Sequence, residues 1–185
     1  FIHPYGNLKR MTMSFCYVRY LLFLVFVLPL SCSNHDEPVR GDWDTLPELH
    51  AYNQGKITLE QGYAGTLILK EGNCMPMVGV GLPGNTCQSY PVKRTIRIYD
   101  YTLQEETEGG GPFFTLVNTL LRERVTTDHE GFFQVELPPG NYSVFIEEAG
   151  KLYANLWDGQ GGIHPITVAA DSIGYEQLTL DYAVY

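Results

Sequence analysis

The chain has 185 residues, 44% of them hydrophobic and 13% aromatic, with 21 Asp and Glu against 12 Lys and Arg and a formal charge of −9. Such a balance argues against a nucleic-acid partner, or an anionic membrane held by charge alone, because both need a basic surface. The length suits one domain of ordinary size with a substantial core.

The first element is the apolar run Tyr20-Leu-Leu-Phe-Leu-Val-Phe-Val-Leu-Pro-Leu30, eleven residues preceded by Arg19 and followed by Ser31-Cys32-Ser-Asn-His-Asp36-Glu37. A helix crossing a bilayer needs about 20 apolar residues, whereas a secretory h-region needs about 7–15. The small residue and cysteine at its end resemble the lipobox of bacterial lipoproteins, and Asp36-Glu37 resembles the surface-export signal of the Bacteroidetes type. The box departs from the usual pattern, with Pro29 three places before the cysteine and Leu28 one place earlier. The resemblance implies that residues 1–31 are a signal peptide and that Cys32 is acylated, anchoring the protein in the outer membrane with possible display at the cell surface. Phe1 heads the sequence, and Met11 or Met13 is a candidate start, which would make residues 1–10 an upstream artefact.

From Cys32 onward, nine Lys and Arg face all 21 acids, a formal charge of −12. Residues 32–60 are polar, with Pro38, Pro47 and several acids, and read as a lipid-anchored tether in which Trp43 and Leu46 are candidates to pack back onto the domain. Of the four cysteines, Cys16 goes with the signal peptide and Cys32 with the lipid. Cys74 and Cys87 remain, and in an exported protein that pair reads as a disulfide. A metal site is the alternative, but two cysteines thirteen apart with no nearby histidine lack zinc-ligand spacing.

The domain, residues 61–185, has period-two strand patterns. They cover residues 66–70, 95–101 (Ile96 and Ile98 on one face), 120–127, 132–137 (Phe133, Val135, Leu137), 142–147 (Tyr142, Val144, Ile146), 163–168 and 175–185. Residues 127–131 and 138–141 are turns, the second read as a tight reversal pairing the strands on either side. Residues 115–121 are the one place for a short helix. Short strands separated by turns predict an all-β, antiparallel β-sandwich.

The run Thr127-Asp-His-Glu-Gly-Phe-Phe-Gln-Val-Glu-Leu-Pro-Pro-Gly-Asn-Tyr142 resembles the signature of the carboxypeptidase regulatory-like domain. That family implies a transthyretin-like (prealbumin-like) sandwich of about seven strands. The likeness covers residues 65–148 and continues more loosely to Tyr185. Three further runs, Glu71-Gly-Asn-Cys-Met-Pro76, Gly111-Pro-Phe-Phe114 and Gly150-Lys-Leu-Tyr-Ala-Asn-Leu-Trp-Asp-Gly159 with Ile163-His-Pro-Ile166 beyond it, look like a lipoprotein subfamily of Bacteroidetes. The resemblance implies a fold and an address but no reaction. In metallocarboxypeptidases this domain is an accessory module without catalytic residues.

Direct signs of chemistry are few. There is no Gly-x-Ser-x-Gly and no cysteine beside a histidine. Glu108-Gly-Gly-Gly111 lacks the Lys and Ser or Thr of a phosphate loop and reads as an insertion tip. His129 sits in a turn, and Asp128, Glu130, Asp158 and Asp171 lack calcium-loop spacing, so no metal and no cofactor is expected. The one candidate cluster is Asn155, Trp157, Asp158, Gln160 and His164 on a glycine-rich loop. An aromatic ring with amides and a carboxylate is a sugar-binding set; the competing reading has Trp157 covering one end of the sandwich. The sequence therefore points to a non-catalytic envelope lipoprotein with a structural or binding role and an envelope protein or glycan as partner. The alternative is a carbohydrate-binding accessory lipoprotein for surface glycan capture. An enzyme using Asp and His from the inserted loops ranks third.

Overall fold

The computed structural model describes residues 45–76 and 86–185. The expected signal peptide, Cys32, Trp43 and the first part of the expected tether, residues 32–44, lie outside the described residues, as do residues 77–85 of the loop between Cys74 and Cys87. Among the described residues no helix is long and apolar enough to cross a membrane.

In chain order the elements are α1 (Leu46–Gln54), β1 (Gly62–Asn73), β2 (Gln88–Pro91), β3 (Thr95–Asp100), a 3₁₀ turn (Gln104–Glu106), β4 (Thr107–Gly110), β5 (Phe113–Val117), β6 (Leu121–Thr126), β7 (Phe132–Val135), β8 (Gly140–Glu148), β9 (Lys151–Tyr153), β10 (Pro165–Val168) and β11 (Ile173–Val184). The all-β expectation holds, with eleven strands among the described residues in place of about seven. They form two sheets. In the first, β1 pairs with β11 along one edge and with β7 and then β2 along the other. The second runs β4-β5-β9-β8-β3-β6, with β10 also on β8. Every pairing is antiparallel except β1 with β11, which is parallel over twelve residues from Gly62↔Ile173 to Asn73↔Val184.

The main core lies between the sheets. Tyr63, Leu67, Leu69, Phe133, Leu178 and Leu180 come from one side, and Ile96, Ile98, Tyr142, Val144 and Ile146 from the other. Period-two alternation sends Tyr99 and Phe145 to the opposite face of the second sheet. There they join Phe114, Val117, Leu152, Ala154 and Ile163 in a second apolar cluster. Two packed faces explain why β8 is buried from Tyr142 to Ile146 without a break.

The structure corrects the sequence reading in three places. First, residues 132–137 and 142–147 are not paired strands. β7 pairs with β1 and β8 with β3, so residues 136–139 cross from one sheet to the other. The inward sets are still those expected, but they meet across the core rather than along a hairpin. Second, residues 115–121 form no helix; they belong to β5, a connection and the start of β6. Third, part of the expected tether is α1. Its Thr45 and Glu48 form a capping box with a proline in the first turn, a helix start that the sequence carries openly. Leu49 is fully buried. His50 Nε2 lies 2.5 Å from Gln177 Oε1 on β11. Asn53 donates to Thr66 Oγ1 on β1 and to the Glu130 carbonyl, both at 2.9 Å, and Lys56 pairs with Asp128 at 2.8 Å. These contacts step across the sheet, so α1 lies crosswise over its outer face. With a helix outside and the core inside, β1 is covered on both faces, which is why Gly62–Leu69 is buried throughout.

The signature turn is structural. Asp128 Oδ1 accepts the Glu130 and Phe132 amides at 2.9 and 2.8 Å. Thr127 Oγ1 donates to the Val92 carbonyl and accepts the Arg94 amide, both at 2.9 Å. The Cys74–Cys87 disulfide is present, with its Cα atoms 4.6 Å apart. Replacing both cysteines by Ser is expected to cost about 3 kcal/mol, the chain-entropy value for a loop of this size. Urea melts of the double variant measure it.

Candidate functional site

The loop between β9 and β10 is built from both ends inward. The Ala154 amide donates to the Pro112 carbonyl at 3.0 Å, and the His164 amide closes back on the Leu156 carbonyl at 2.8 Å. Between them Asp158 acts as a staple. Its Oδ1 accepts the Gln160 and Gly162 amides at 2.7 and 3.0 Å, and its Oδ2 accepts the Tyr101 hydroxyl at 2.5 Å. The Tyr101 hydroxyl and the Gln160 amide, in that order, hold the Asp158 carboxyl below the usual carboxylate range. A Cβ at Gly162 would stand 2.3 Å from the Tyr101 hydroxyl oxygen and 2.5 Å from Asp158 Oδ2, so a larger residue there would displace the Tyr101–Asp158 hydrogen bond. The segment after β3 is locked to the same loop: Ile163 donates to the Thr102 carbonyl at 3.0 Å, and Gln104 to the Gly161 carbonyl at 2.9 Å.

On this frame Trp157 is 44% exposed and Leu156 48%. The indole rests against the tip of the β4–β5 hairpin, where a Cβ at Gly111 would stand 2.8 Å from its ring. Three residues further along, Gln160 and Gly161 line a shallow depression of about 480 Å³ together with Leu103, Gln104 and Glu105. Gln104 and Gln160 are both exposed.

The five candidate residues therefore separate. Trp157, Asp158 and Gln160 share the loop surface, although Asp158 is spent on bracing it. Asn155 is half-buried. His164 turns inward: it is 4% exposed, its φ is 37°, and its Nε2 lies 3.3 Å from Glu176 Oε1. Glu176 Oε2 in turn accepts the Tyr63 hydroxyl at 2.9 Å. Burial opposes the charge on Glu176, but the His164 contact and the Tyr63 hydrogen bond outweigh it, and the carboxyl sits below its ordinary range. Burial, then the Glu176 charge, pushes the Tyr63 phenol well up. Glu176 is thus a partly buried support, and His164 belongs to that support rather than to the surface. Sequence reasoning missed Tyr101, Gln104, Glu105 and Gly111. They come from segments some fifty residues upstream and carry no motif that ties them to the loop.

Elsewhere, a second cleft of about 380 Å³ is lined by Arg97, Thr115, Glu147 and Leu152 among others. Its two carboxylates are already paired: Glu147 with Arg97 and, at 2.9 Å, with Arg124, and Glu148 with Arg94. His129 is exposed at its turn. Among the described residues no three His, Cys, Asp or Glu side chains converge to hold a metal ion. Comparison with known proteins finds no matching family model, no matching curated protein and no matching solved structure.

Proposed function

We propose that this chain is a non-catalytic lipoprotein of the cell envelope, held in the outer membrane through an acylated Cys32 and acting as a binding module at its loop end. The observation that carries the binding role is Trp157, half exposed on a loop braced by Asp158. A large aromatic kept in water on a rigid frame is the usual anchor of a recognition surface. The non-catalytic reading draws support from Asp158, whose oxygens accept three hydrogen bonds and are committed to the loop. The transthyretin-like, carboxypeptidase regulatory-like assignment is part of this proposal. Thr127, Asp128 and Gly131 fill the turn roles that its signature requires, and Phe133 and Tyr142 reach the core between the sheets.

The favoured ligand is a glycan, because an indole beside exposed amides suits sugar. A glycan array probed with the protein is expected to return binding to a defined group of glycans. A blank array, with binding instead to an isolated envelope protein, would leave a protein-binding or structural module and remove the carbohydrate reading. The anchor is tested separately. Cys32→Ser is expected to abolish incorporation of labelled palmitate and to release the protein from the membrane fraction; undiminished label would reject it.

A further inference from the structure

We infer that the loop end takes neutral saccharide chains, with Trp157 as the stacking platform and Gln104 and Gln160 as the groups that read hydroxyls, and that it turns away uronate-bearing and sulfated chains. The inference rests on the carbohydrate reading above and adds the ligand class and the residues.

The platform comes first. The face of an indole is the negative pole of its quadrupole, and it attracts the slightly positive C–H bonds on the apolar face of a pyranose. Trp157 offers that ring at 44% exposure and is backed by the glycine tip of the β4–β5 hairpin, so its position does not depend on the ligand. The amides come second. Each glutamine head group carries both donor and acceptor atoms, matching hydroxyl groups, which do the same. Gln104 and Gln160 both line the 480 Å³ depression. Three residues of extended chain span at most about 11 Å, so Trp157 and Gln160 lie within reach of one oligosaccharide.

Charge decides the class. Recognition of carboxylate or sulfate calls for Arg or Lys, above all the bidentate Arg fork. The two segments that build this surface, residues 101–112 and 154–164, contain Glu105, Glu106, Glu108 and Asp158 and no Lys or Arg. These two segments therefore carry only negative formal charge, whose reach is set by the Debye length of about 8 Å at physiological ionic strength. An anionic chain meets repulsion from these segments, which carry no cation of their own to offset it. A neutral chain loses nothing, and the pre-braced loop spares it the cost of ordering the site.

The test is isothermal titration and affinity electrophoresis of the protein against two neutral polymers, a mixed-linkage β-glucan and a galactomannan, and two acidic ones, polygalacturonate and chondroitin sulfate. At least one neutral polymer is expected to bind. Trp157→Ala should weaken that binding about tenfold or more, equivalent to 1.4 kcal/mol, and Gln104→Ala with Gln160→Ala should weaken it further. A cooperative thermal transition in each variant certifies the fold; the midpoint is expected to stay for the two exposed glutamines and to fall only slightly for Trp157→Ala, which gives up its contact with the hairpin tip. Tighter binding of an acidic polymer that still falls with Trp157→Ala would overturn the ligand class and leave the carbohydrate reading standing. Neutral binding that ignores all three substitutions would overturn the site. Binding of none of the polymers, together with a blank glycan array, would overturn both the inference and the reading beneath it.

Discussion

Phe133→Ala is expected to cost about 3–5 kcal/mol, the range for removing a core aromatic, out of a total of about 5–15 kcal/mol for a domain. Phe133 is almost fully buried. Its ring packs on Tyr63 at a centroid distance of 5.4 Å and closes over Gly65, where a Cβ would stand 2.8 Å from the ring. The control is the next residue. Gln134 faces away from the core and exchanges two hydrogen bonds with Thr58, at 3.0 and 2.9 Å. Gln134→Ala loses only these exposed bonds, about 1 kcal/mol. Guanidinium melts followed by circular dichroism measure both. Equal losses would mean that the face assignment of β7 is wrong.

Gly131→Ala should be nearly as damaging, for a backbone reason. Gly131 has φ of 69°, and a Cβ there would stand 2.2 Å from the Leu67 carbonyl oxygen. That contact cannot relax by a side-chain rotation. The Gly131 carbonyl itself accepts the Leu67 amide at 2.8 Å, so making room pulls the β6–β7 turn off β1. The positive φ alone costs about 1–3 kcal/mol for a residue with a Cβ, and the displacement adds to it. Gly150 separates the two contributions. Its φ is 76°, but nothing lies within 4 Å of the Cβ position. Gly150→Ala should therefore show the conformational cost alone, and the difference between the two variants reads the steric one. If Gly131→Ala is no worse than Gly150→Ala, the turn is not seated against β1 as described.

Local chemistry made much of the domain legible. Period-two alternation identified Phe133, Leu137, Tyr142, Val144 and Ile146 as inward, and all five are core residues. The exported-protein logic of an even cysteine remainder gave Cys74–Cys87. The strands at 107–110 and 113–117 escaped notice because the glycine run breaks the alternation, and Lys151–Tyr153 because three residues are too few to show a period.

Each of these readings needs only neighbours in sequence, since the φ of a turn and the face of a strand are set within a few residues. The assignment of strands to sheets is different. A given alternation is satisfied equally by a hairpin partner or by a strand facing it across the core. The sequence by itself therefore determined which side chains of β7 and β8 point inward, and only the folded chain decided that they belong to different sheets. The parallel β1–β11 pairing joins residues more than a hundred apart, and no local pattern encodes such a partner. The same holds for α1. Its capping box at Thr45 and Glu48 stands in a segment read as tether, and its docking depends on Asn53, His50 and Lys56 finding Thr66, Gln177 and Asp128 on three other segments. At the loop end, the sequence supplied Trp157, Asp158 and Gln160. The tertiary structure added Tyr101, Gln104 and Gly111 and withdrew His164, because a side chain's surroundings are fixed by whichever distant segments pack against it.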